Sequence, residues 1–197
     1  MKINNIISTI RELKKIGAVA IKQSFEDEGA NYDEVKLMNE IVKKVNLDHN
    51  IKIAGCEAKN DINFCSDLRV DGIVAPMVES NYALTKFMQS IPKNNSAKLY
   101  VNIETYSAIN DIKKILSSKN LNRLNGLVFG RSDIAGSLGL EKKDVNSKKI
   151  TNLITGAIKY AKKKKSKLKI KIGGSISFPS KNVIENLFKK KLINSYE

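Results

Sequence analysis

The feature that most limits the fold of this chain is a regular alternation of short apolar runs with longer stretches of helical periodicity. The apolar runs are rich in leucine or β-branched residues, which is the composition of strands covered on both faces. Helical segments between such strands are the usual crossovers of a parallel sheet. The sequence therefore predicts an α/β fold with six parallel strands: Ala18–Lys22, Ile51–Gly55, Gly72–Met77, Leu99–Ile103, Gly126–Gly130 and Leu168–Gly173.

The segments between these strands contain recognisable helix signals. Asn31 is followed three residues later by Glu34, which is the spacing of a capping box, and an apolar face comes next. Ser80 is a candidate N-cap for a later helix, and a first helix is predicted over Asn5–Lys15. We expect the lysine run Lys162–Lys165 in the last turn of another helix, where cations oppose the helix dipole.

The length of 197 residues predicts a single domain, 1–197, with a sizeable core. No apolar run approaches the ~20 residues that a membrane-spanning helix needs, and the N-terminus lacks a secretory cleavage pattern. These features predict a cytoplasmic protein without membrane contact. Cys56 and Cys65, with the single histidine His49, do not have zinc-ligand spacing, so we expect two free thiols.

The net charge of +15 raises the question of a nucleic-acid partner, because a basic surface attracts phosphate of any sequence. The excess is almost entirely lysine, whereas base readout and bidentate phosphate contacts depend on arginine. The chain has only four arginines, Arg11, Arg69, Arg123 and Arg131. A nucleic-acid partner is therefore disfavoured, and a lysine-rich nucleic-acid binder remains only as an alternative.

Charged residues follow nearly every predicted strand, and this distinguishes between the possible α/β architectures. The first strand leads into "QSFEDEGA", which lacks the glycine fingerprint of a dinucleotide-binding sheet. Reactive groups at the carboxyl ends of strands are the arrangement of a β/α-barrel active site. The sequence therefore predicts a TIM-type barrel. The charged residues are Glu26, Glu28, Glu57, Glu79, Glu104, Arg131 and Asp133.

The predicted barrel is incomplete, since about six of the eight strands of a closed barrel are visible. The chain stops at "INSYE", which we expect just after a helix. The sequence thus predicts either a polypeptide truncated at its C-terminus or a barrel that lacks its last strands. An open sheet edge exposes unpaired backbone groups, which favours a homo-oligomer.

Three motifs in series resemble the HpcH/HpaI aldolase and citrate lyase family: "GIVAPMVES" at 72–80, "LYVNIETYSAINDI" at 99–112 and "LNGLVFGRSDIAGSLGL" at 124–140. The resemblance spans about residues 18–177. It implies a TIM-type barrel that cleaves or forms carbon–carbon bonds next to a 2-keto acid or an acyl-CoA thioester.

The resemblance also implies a metal site and a carboxylate seat. Glu104, ending "NIE", and Asp133, in "GRSD", match the family's two metal-binding carboxylates, and the ends of successive strands would bring them together around Mg²⁺ or Mn²⁺. The turn Gly130–Ser132 matches the segment whose backbone receives the keto acid's carboxylate. Arg131 would either clamp a substrate carboxylate or pair with a nearby acid. We expect "GSLG" at 136–139 to lead into a helix start.

The first two strand-end loops depart from the family pattern, which has a histidine and an arginine there. Glu26, Glu28 or Glu57 would have to move the proton, with Lys22 holding a carboxylate or adjusting the acid's pKa. Lys22 could alternatively form a Schiff base. His49 is expected in a loop before its strand, at the other end of the barrel.

The sequence thus predicts a divalent-metal-dependent carbon–carbon lyase of the aldolase type. Its substrate would be a small 2-keto or hydroxy acid such as pyruvate or oxaloacetate, and a metal ion would stabilise the enolate. The alternative is a non-catalytic barrel that binds a keto acid or a partner chain.

Overall fold

Seven parallel strands form one curled sheet of the TIM-barrel type in the computed structural model, which describes residues 3–197. Each strand pairs with the next one along the sequence, from β1 to β7, so the crossovers all run in one direction around the barrel. The strands are β1 (Ala20–Ser24), β2 (Asp48–Lys52), β3 (Gly72–Ala75), β4 (Lys98–Ile103), β5 (Gly126–Gly130), β6 (Lys169–Gly173) and β7 (Ser195–Tyr196).

The helices between the strands cover the outside of this sheet. Short 3₁₀ turns at Lys119–Arg123, Lys142–Asn146 and Phe178–Ser180 complete the connections. The helices are α1 (Ile3–Lys15), α2 (Tyr32–Val45), α3 (Lys59–Asp67), α4 (Asn81–Ser90), α5 (Tyr106–Asn110), α6 (Ile112–Ile115), α7 (Arg131–Ser137), α8 (Lys148–Lys164) and α9 (Lys181–Lys189).

The helix signals in the sequence correspond to observed caps. The Asn31 side chain accepts a hydrogen bond from the Glu34 backbone N–H, and the Glu34 side chain accepts one from Asn31, which confirms the capping box of α2. Ser80 caps α4 through the N–H of Ala83, as predicted. These side chains satisfy helix N–H groups that have no partner within the helix.

Two strands lie elsewhere than predicted. β1 begins two residues later than the predicted Ala18–Lys22, and β2 occupies Asp48–Lys52 instead of Ile51–Gly55. The sequence "DHNIK" of β2 was missed because its polar residues do not form an apolar run, although they pair in register with β1. His49 therefore lies within β2 and not in a loop, which corrects the prediction.

A seventh strand also corrects the expectation that "INSYE" simply follows a helix. Lys171 and Ile172 of β6 pair in parallel register with Ser195 and Tyr196, which form β7. The strand has only two residues and no apolar run, so its sequence gives no strand signal. The sheet thus has seven strands instead of the six predicted.

The two faces of the sheet have different compositions because successive residues of a strand point to opposite sides. Outward residues such as Ile51, Ile73 and Leu127 are fully buried in the main core against the helices. The barrel interior holds only a small apolar cluster of Val74, Tyr100 and Val128. The remaining inward positions of the strands are largely polar or glycine.

The edges of the curled sheet are β1 and β7. Ile21 of β1 packs outward against α1 and α2, so the neighbouring Lys22 points into the barrel. There its ammonium group donates to Oε1 of Glu197, just after β7, at 3.0 Å. This ion pair spans the opening between the two edges.

Two further expectations bear on the chain as a whole. Cys56 and Cys65 are both free thiols, as predicted, and burial raises the pKa of Cys65 to about 12. Among residues 3–197, no helix has both the length and the apolar composition needed to cross a membrane.

Candidate functional site

The first element of the site is the Glu104 carboxylate, which follows β4 directly and is only 2% exposed. Its Oε1 accepts the backbone N–H of Met77, in the loop after β3, at 2.9 Å. Its Oε2 accepts Nδ2 of Asn102 at 2.8 Å, from the same inward face of β4. Two hydrogen bonds therefore hold this buried carboxylate at the strand end.

The second carboxylate, Asp133, converges with Glu104 beside Gly130. Asp133 is the third residue of α7, which begins immediately after β5. A Cβ placed on Gly130 would lie 2.9 Å from the Cβ of Glu104, which is closer than such atoms approach. That same point is within 3.5 Å of Oε2 of Glu104 and Oδ2 of Asp133. The absence of a side chain at Gly130 thus creates a space that both carboxylates border.

The residues around this space fit a hard divalent cation. Oδ1 of Asn102 is buried without a hydrogen-bond partner among residues 3–197, whereas buried polar atoms are normally paired. The two carboxylates are the oxygen ligand type of Mg²⁺ and Mn²⁺, and Asn102, two residues before Glu104, adds a buried amide oxygen. No cluster of three or more His, Cys, Asp or Glu side chains with metal-binding geometry occurs in residues 3–197. Mg²⁺ commonly binds one or two protein carboxylates and completes its shell with water and substrate.

Lys52 is the positively charged side chain beside these carboxylates. The sequence analysis did not predict it. It is the last residue of β2, points into the barrel and is only 7% exposed. Its ammonium group donates to Oδ2 of Asp27 and lies 4.0 Å from Oε2 of Glu104. Burial by itself would lower the pKa of Lys52, but the hydrogen bond to Asp27 and the charge of Glu104 outweigh it, so the pKa is raised.

The signal that could have identified Lys52 is the alternation within "DHNIK". If β2 is placed at Asp48–Lys52, every second residue is polar and faces the interior, and Lys52 then reaches the carboxyl end of the sheet. Asp27 is held towards Lys52 by the loop after β1, where its N–H donates to Ser24 Oγ at 3.2 Å. The sequence prediction named Glu26 and Glu28 of this loop and did not include Asp27.

The start of α7 forms a seat for an anion. A Cβ on Gly174, after β6, would lie 2.6 Å from the backbone nitrogen of Ser132 and 2.8 Å from that of Arg131. Gly174 also has a φ of +82°, which favours glycine. Because these amides belong to the first turn of α7, they have no carbonyl partner within the helix. A small carboxylate could therefore approach them only because residue 174 lacks a side chain.

The Arg131 side chain pairs with no acid among residues 3–197, which corrects one of the two predicted roles for its guanidinium group. It is 1% exposed and donates to the carbonyl oxygens of Gly173 and Gly174 at 3.2 and 2.8 Å, and to Asn146 Oδ1 at 2.7 Å. Burial lowers the pKa of the guanidinium. The side chain therefore ties α7 to the loop after β6. The segment "GSLG" at 136–139 overlaps the end of α7 at Ser137 and is followed by the 3₁₀ turn Lys142–Asn146.

The three residues proposed from sequence for proton transfer lie away from the carboxylate pair. Glu26 is exposed in the loop after β1, and Glu28 of the same loop accepts the N–H of Ser24. Glu57 is exposed and pairs with Lys86 of α4 at 2.8 Å, while Lys22 pairs with Glu197. The acid of these loops that the structure brings to the site is Asp27, through Lys52.

His49 faces the helices instead of the barrel interior. Its ring nitrogens contact Asn39 of α2 at 3.1 Å and Gln23 of β1 at 3.0 Å. Burial lowers the pKa of His49 to about 4. It is therefore neutral at pH 7 and has no contact with the site.

Comparisons with solved structures place this architecture among known barrels. An HpcH/HpaI aldolase/citrate lyase family protein from Burkholderia cenocepacia J2315 aligns with a TM-score of 0.77 and 11% identity, over 96% of this chain and 82% of that one. An HpcH/HpaI aldolase from Desulfitobacterium hafniense DCB-2 aligns with a TM-score of 0.76 and 12% identity, over 100% and 83%. The citrate synthase SbnG aligns with a TM-score of 0.75 and 12% identity, over 96% and 80%. At these identities the likeness establishes the fold.

The family itself is established from the sequence. No curated protein matches the chain significantly. A family model described as HpcH/HpaI aldolase/citrate lyase, however, matches residues 51–178, which is well over half of the chain and includes both Glu104 and Asp133. The chain therefore belongs to the HpcH/HpaI aldolase/citrate lyase family of lyases.

Proposed function

We propose that this chain is a divalent-metal-dependent lyase that cleaves or forms a carbon–carbon bond next to a 2-keto acid such as pyruvate or oxaloacetate. The observation that supports this most strongly is the convergence of the Glu104 and Asp133 carboxylates beside Gly130. One carboxylate is buried and fixed, the other is exposed, and both border one space at the mouth of the barrel. This arrangement fits one cation shared between protein and substrate.

Glu104 and Asp133 would hold Mg²⁺ or Mn²⁺. A bound ion would supply the positive charge that polarises the keto group and stabilises the electron pair released by bond cleavage. The backbone N–H groups of Arg131 and Ser132 would receive the substrate's carboxylate, and Gly130 and Gly174 provide the space on either side. The substrate would thereby be held at both its charged and its reacting end.

Lys52 and Asp27 would provide the remaining charge and the proton transfer. Lys52 stays protonated at neutral pH because its pKa is raised, so it balances the charge of buried Glu104. Asp27 is half-exposed and hydrogen-bonded to Lys52, which places a carboxyl group at the rim of the site. We assign Asp27 the role of general base, in place of Glu26 or Glu57.

In the cleavage direction, the base removes the proton of the substrate's hydroxyl group, which becomes the carbonyl of the departing aldehyde or ketone. The electrons of the broken carbon–carbon bond pass to the keto acid fragment and form its enolate. A proton then returns to that carbon to give the keto acid. The names of the structural neighbours, which are aldolases and a citrate synthase, describe chemistry of this kind in those proteins.

The unpaired edges of β1 and β7 also support the proposal of a homo-oligomer, since sheet edges tend to pair or to be covered. A non-catalytic barrel that binds a keto acid or a partner chain is the alternative function. It predicts metal binding without any turnover.

The test combines Mn²⁺ titration, followed by electron paramagnetic resonance, with pyruvate or oxaloacetate release from a panel of aldols. We expect Asp133→Asn to lower Mn²⁺ affinity and kcat/KM on the order of 100-fold or more, because it removes a ligand charge. Asp67→Asn is the matched control, since Asp67 is also exposed but lies at the end of α3. Mn²⁺ binding without turnover on the whole panel would favour the non-catalytic alternative. Equal activity of Asp133→Asn and wild type would refute the metal assignment.

A further inference from the structure

The positive charge of the chain is concentrated in its last 53 residues. Residues 145–197 contain 14 lysines and only two acidic residues, whereas residues 1–144 contain 21 basic and 18 acidic residues. A charge excess that followed only from overall composition would be spread along the chain. The excess therefore belongs to one part of the fold, which is formed by α8, β6, α9 and β7.

Six exposed lysines of this part lie at the amino end of the barrel. The last turns of α8 and α9 return the chain to the starts of β6 and β7, opposite the mouth that holds Glu104 and Asp133. The ammonium group of Lys162 donates to the carbonyl oxygen of Lys191 at 2.6 Å, so the two turns are in contact. We call the six exposed residues the lysine face: Lys163, Lys164, Lys167, Lys189, Lys190 and Lys191.

No acid among residues 3–197 forms an ion pair with the lysine face. The two acids of residues 145–197 are engaged elsewhere. Glu185 lies 3.9 Å from Lys181 near the start of α9, and Glu197 pairs with Lys22. Six like charges on one surface repel each other, and a negatively charged partner relieves this repulsion.

Exposed apolar residues lie at the same end of the barrel. The turn from α1 to β1 reads "IGAV", and its Ile16 and Val19 are 82% and 68% exposed. The pair of Lys22 and Glu197 joins β1 to the end of β7 across the opening. The turn before β1 and the turn before β7 therefore lie beside the same opening. The amino end of the barrel thus combines the lysine face with a small apolar tip.

We propose that the amino end of the barrel binds the surface of an anionic lipid membrane. The lysine face is attracted to acidic headgroups, and Ile16 and Val19 enter the boundary between headgroups and acyl chains. The sequence gave an expectation of no membrane contact because a spanning segment is lacking, but binding at a surface needs no such segment. The bound barrel turns its mouth towards the solvent, so the inference is independent of the proposed function.

A lipid surface fits these residues better than a nucleic acid does. Residues 145–197 contain no arginine, which provides bidentate phosphate contacts and base readout. The phosphate backbone of a duplex would contact the lysines but would leave Ile16 and Val19 in water. The boundary region of a bilayer accepts both kinds of side chain.

The test measures sedimentation of the whole chain with vesicles of phosphatidylcholine alone, or of two parts phosphatidylcholine and one part phosphatidylserine. We expect binding only to the mixed vesicles, and release at about 1 M salt, where charges are screened. The triple variant Lys189→Gln, Lys190→Gln and Lys191→Gln should bind them about 100-fold more weakly. Ile16→Ser combined with Val19→Ser should weaken binding about 5-fold and keep the salt dependence.

The matched control is the triple variant Lys59→Gln, Lys148→Gln and Lys149→Gln. It removes the same charge from exposed lysines in the first turns of α3 and α8, at the carboxyl end of the barrel. Its binding should stay within about 3-fold of wild type, because these charges lie far from the proposed contact. Equal weakening of the two triple variants would overturn the proposal, since net charge alone would then explain binding. Equal binding to both kinds of vesicle, or binding to duplex DNA but not to mixed vesicles, would overturn it as well.

Discussion

The part of the sheet from β4 to β6 and the part formed by β1 and β2 place their charged groups in different ways. At the ends of β4 and β5, the backbone holds the two carboxylates close to their strands. Glu104, for example, directly follows β4 and accepts the backbone N–H of Met77. Beside β1 and β2, the contact depends on one long side chain, Lys52, which reaches both Asp27 and Glu104. The first part can therefore define geometry, while the second supplies charge. The comparison predicts that changes of shape are most damaging near β5 and β6, whereas near β2 the loss of a charge matters more than a change of shape.

Substitution Gly174→Ala should have the largest effect among the tests of this comparison. A Cβ there would lie within 2.8 Å of both seat amides, on a backbone with a φ of +82°. We expect kcat/KM for the keto acid to fall on the order of 1,000-fold, because both N–H groups are blocked. Pyruvate-dependent turnover and the Mn²⁺ affinity should be measured together, and the Mn²⁺ affinity should change little.

Gly156→Ala is the control for this substitution. Gly156 lies within α8, and a Cβ at that position would meet no atom within 4 Å. The control should keep full activity. If Gly174→Ala retains normal pyruvate kinetics while it still folds, the amides of Arg131 and Ser132 do not form the seat.

The two inward lysines of β1 and β2 allow a test of the charge-supplying part. Lys52→Met leaves buried Glu104 without its nearest cation, and we expect kcat/KM to fall about 100-fold. Lys22→Met breaks only the pair with Glu197, so activity should stay within about 3-fold of wild type. Steady-state kinetics at pH 7.5 with saturating Mn²⁺ would measure both.

The opposite ranking of these two variants would contradict the comparison. If Lys22→Met is inactive and Lys52→Met is active, borohydride trapping with pyruvate should be attempted on wild type. A covalent adduct on Lys22 would then support the Schiff-base chemistry that the sequence left open.

The sequence allowed the β4 to β6 part to be predicted well, because its polar residues lie within motifs whose strands are apolar. Glu104 and Asp133 could be placed at strand ends simply by counting along these strands.

The β1 and β2 part could not be predicted, because the barrel interior there is polar and "DHNIK" lacks an apolar run. A strand placed three residues too late puts Lys52 near the beginning of the strand instead of at its carboxyl end, and it leaves His49 outside the strand. This is why Lys52 was overlooked and His49 was assigned to a loop. The roles of Asp27 and Arg131 depend on loop conformation and on contacts across the fold, which no local pattern encodes.

The smallest expected effect concerns the outer side of β2, where His49 should influence stability but not catalysis. Burial lowers the pKa of His49 to about 4, whereas an unfolded histidine titrates near 6.5. Below pH 6.5 the unfolded chain therefore binds a proton that the folded chain does not, and folding becomes less favourable as the pH falls. Between pH 7 and pH 5 the free energy of unfolding should decrease by about 2 kcal/mol.

Urea unfolding of wild type and His49→Gln across this pH range would measure the effect, and His49 is the only histidine of the chain. The variant should lose most of the pH dependence, because a neutral amide at this position does not titrate. Its kcat at pH 7.5 should equal that of wild type, since the ring contacts Asn39 and Gln23 on the helix-facing side of the sheet. A variant that keeps the full pH slope would show that other groups cause it. A variant that loses activity would mean that the outer face of β2 affects the site through the strand. That result would contradict the claim that His49 influences stability but not catalysis.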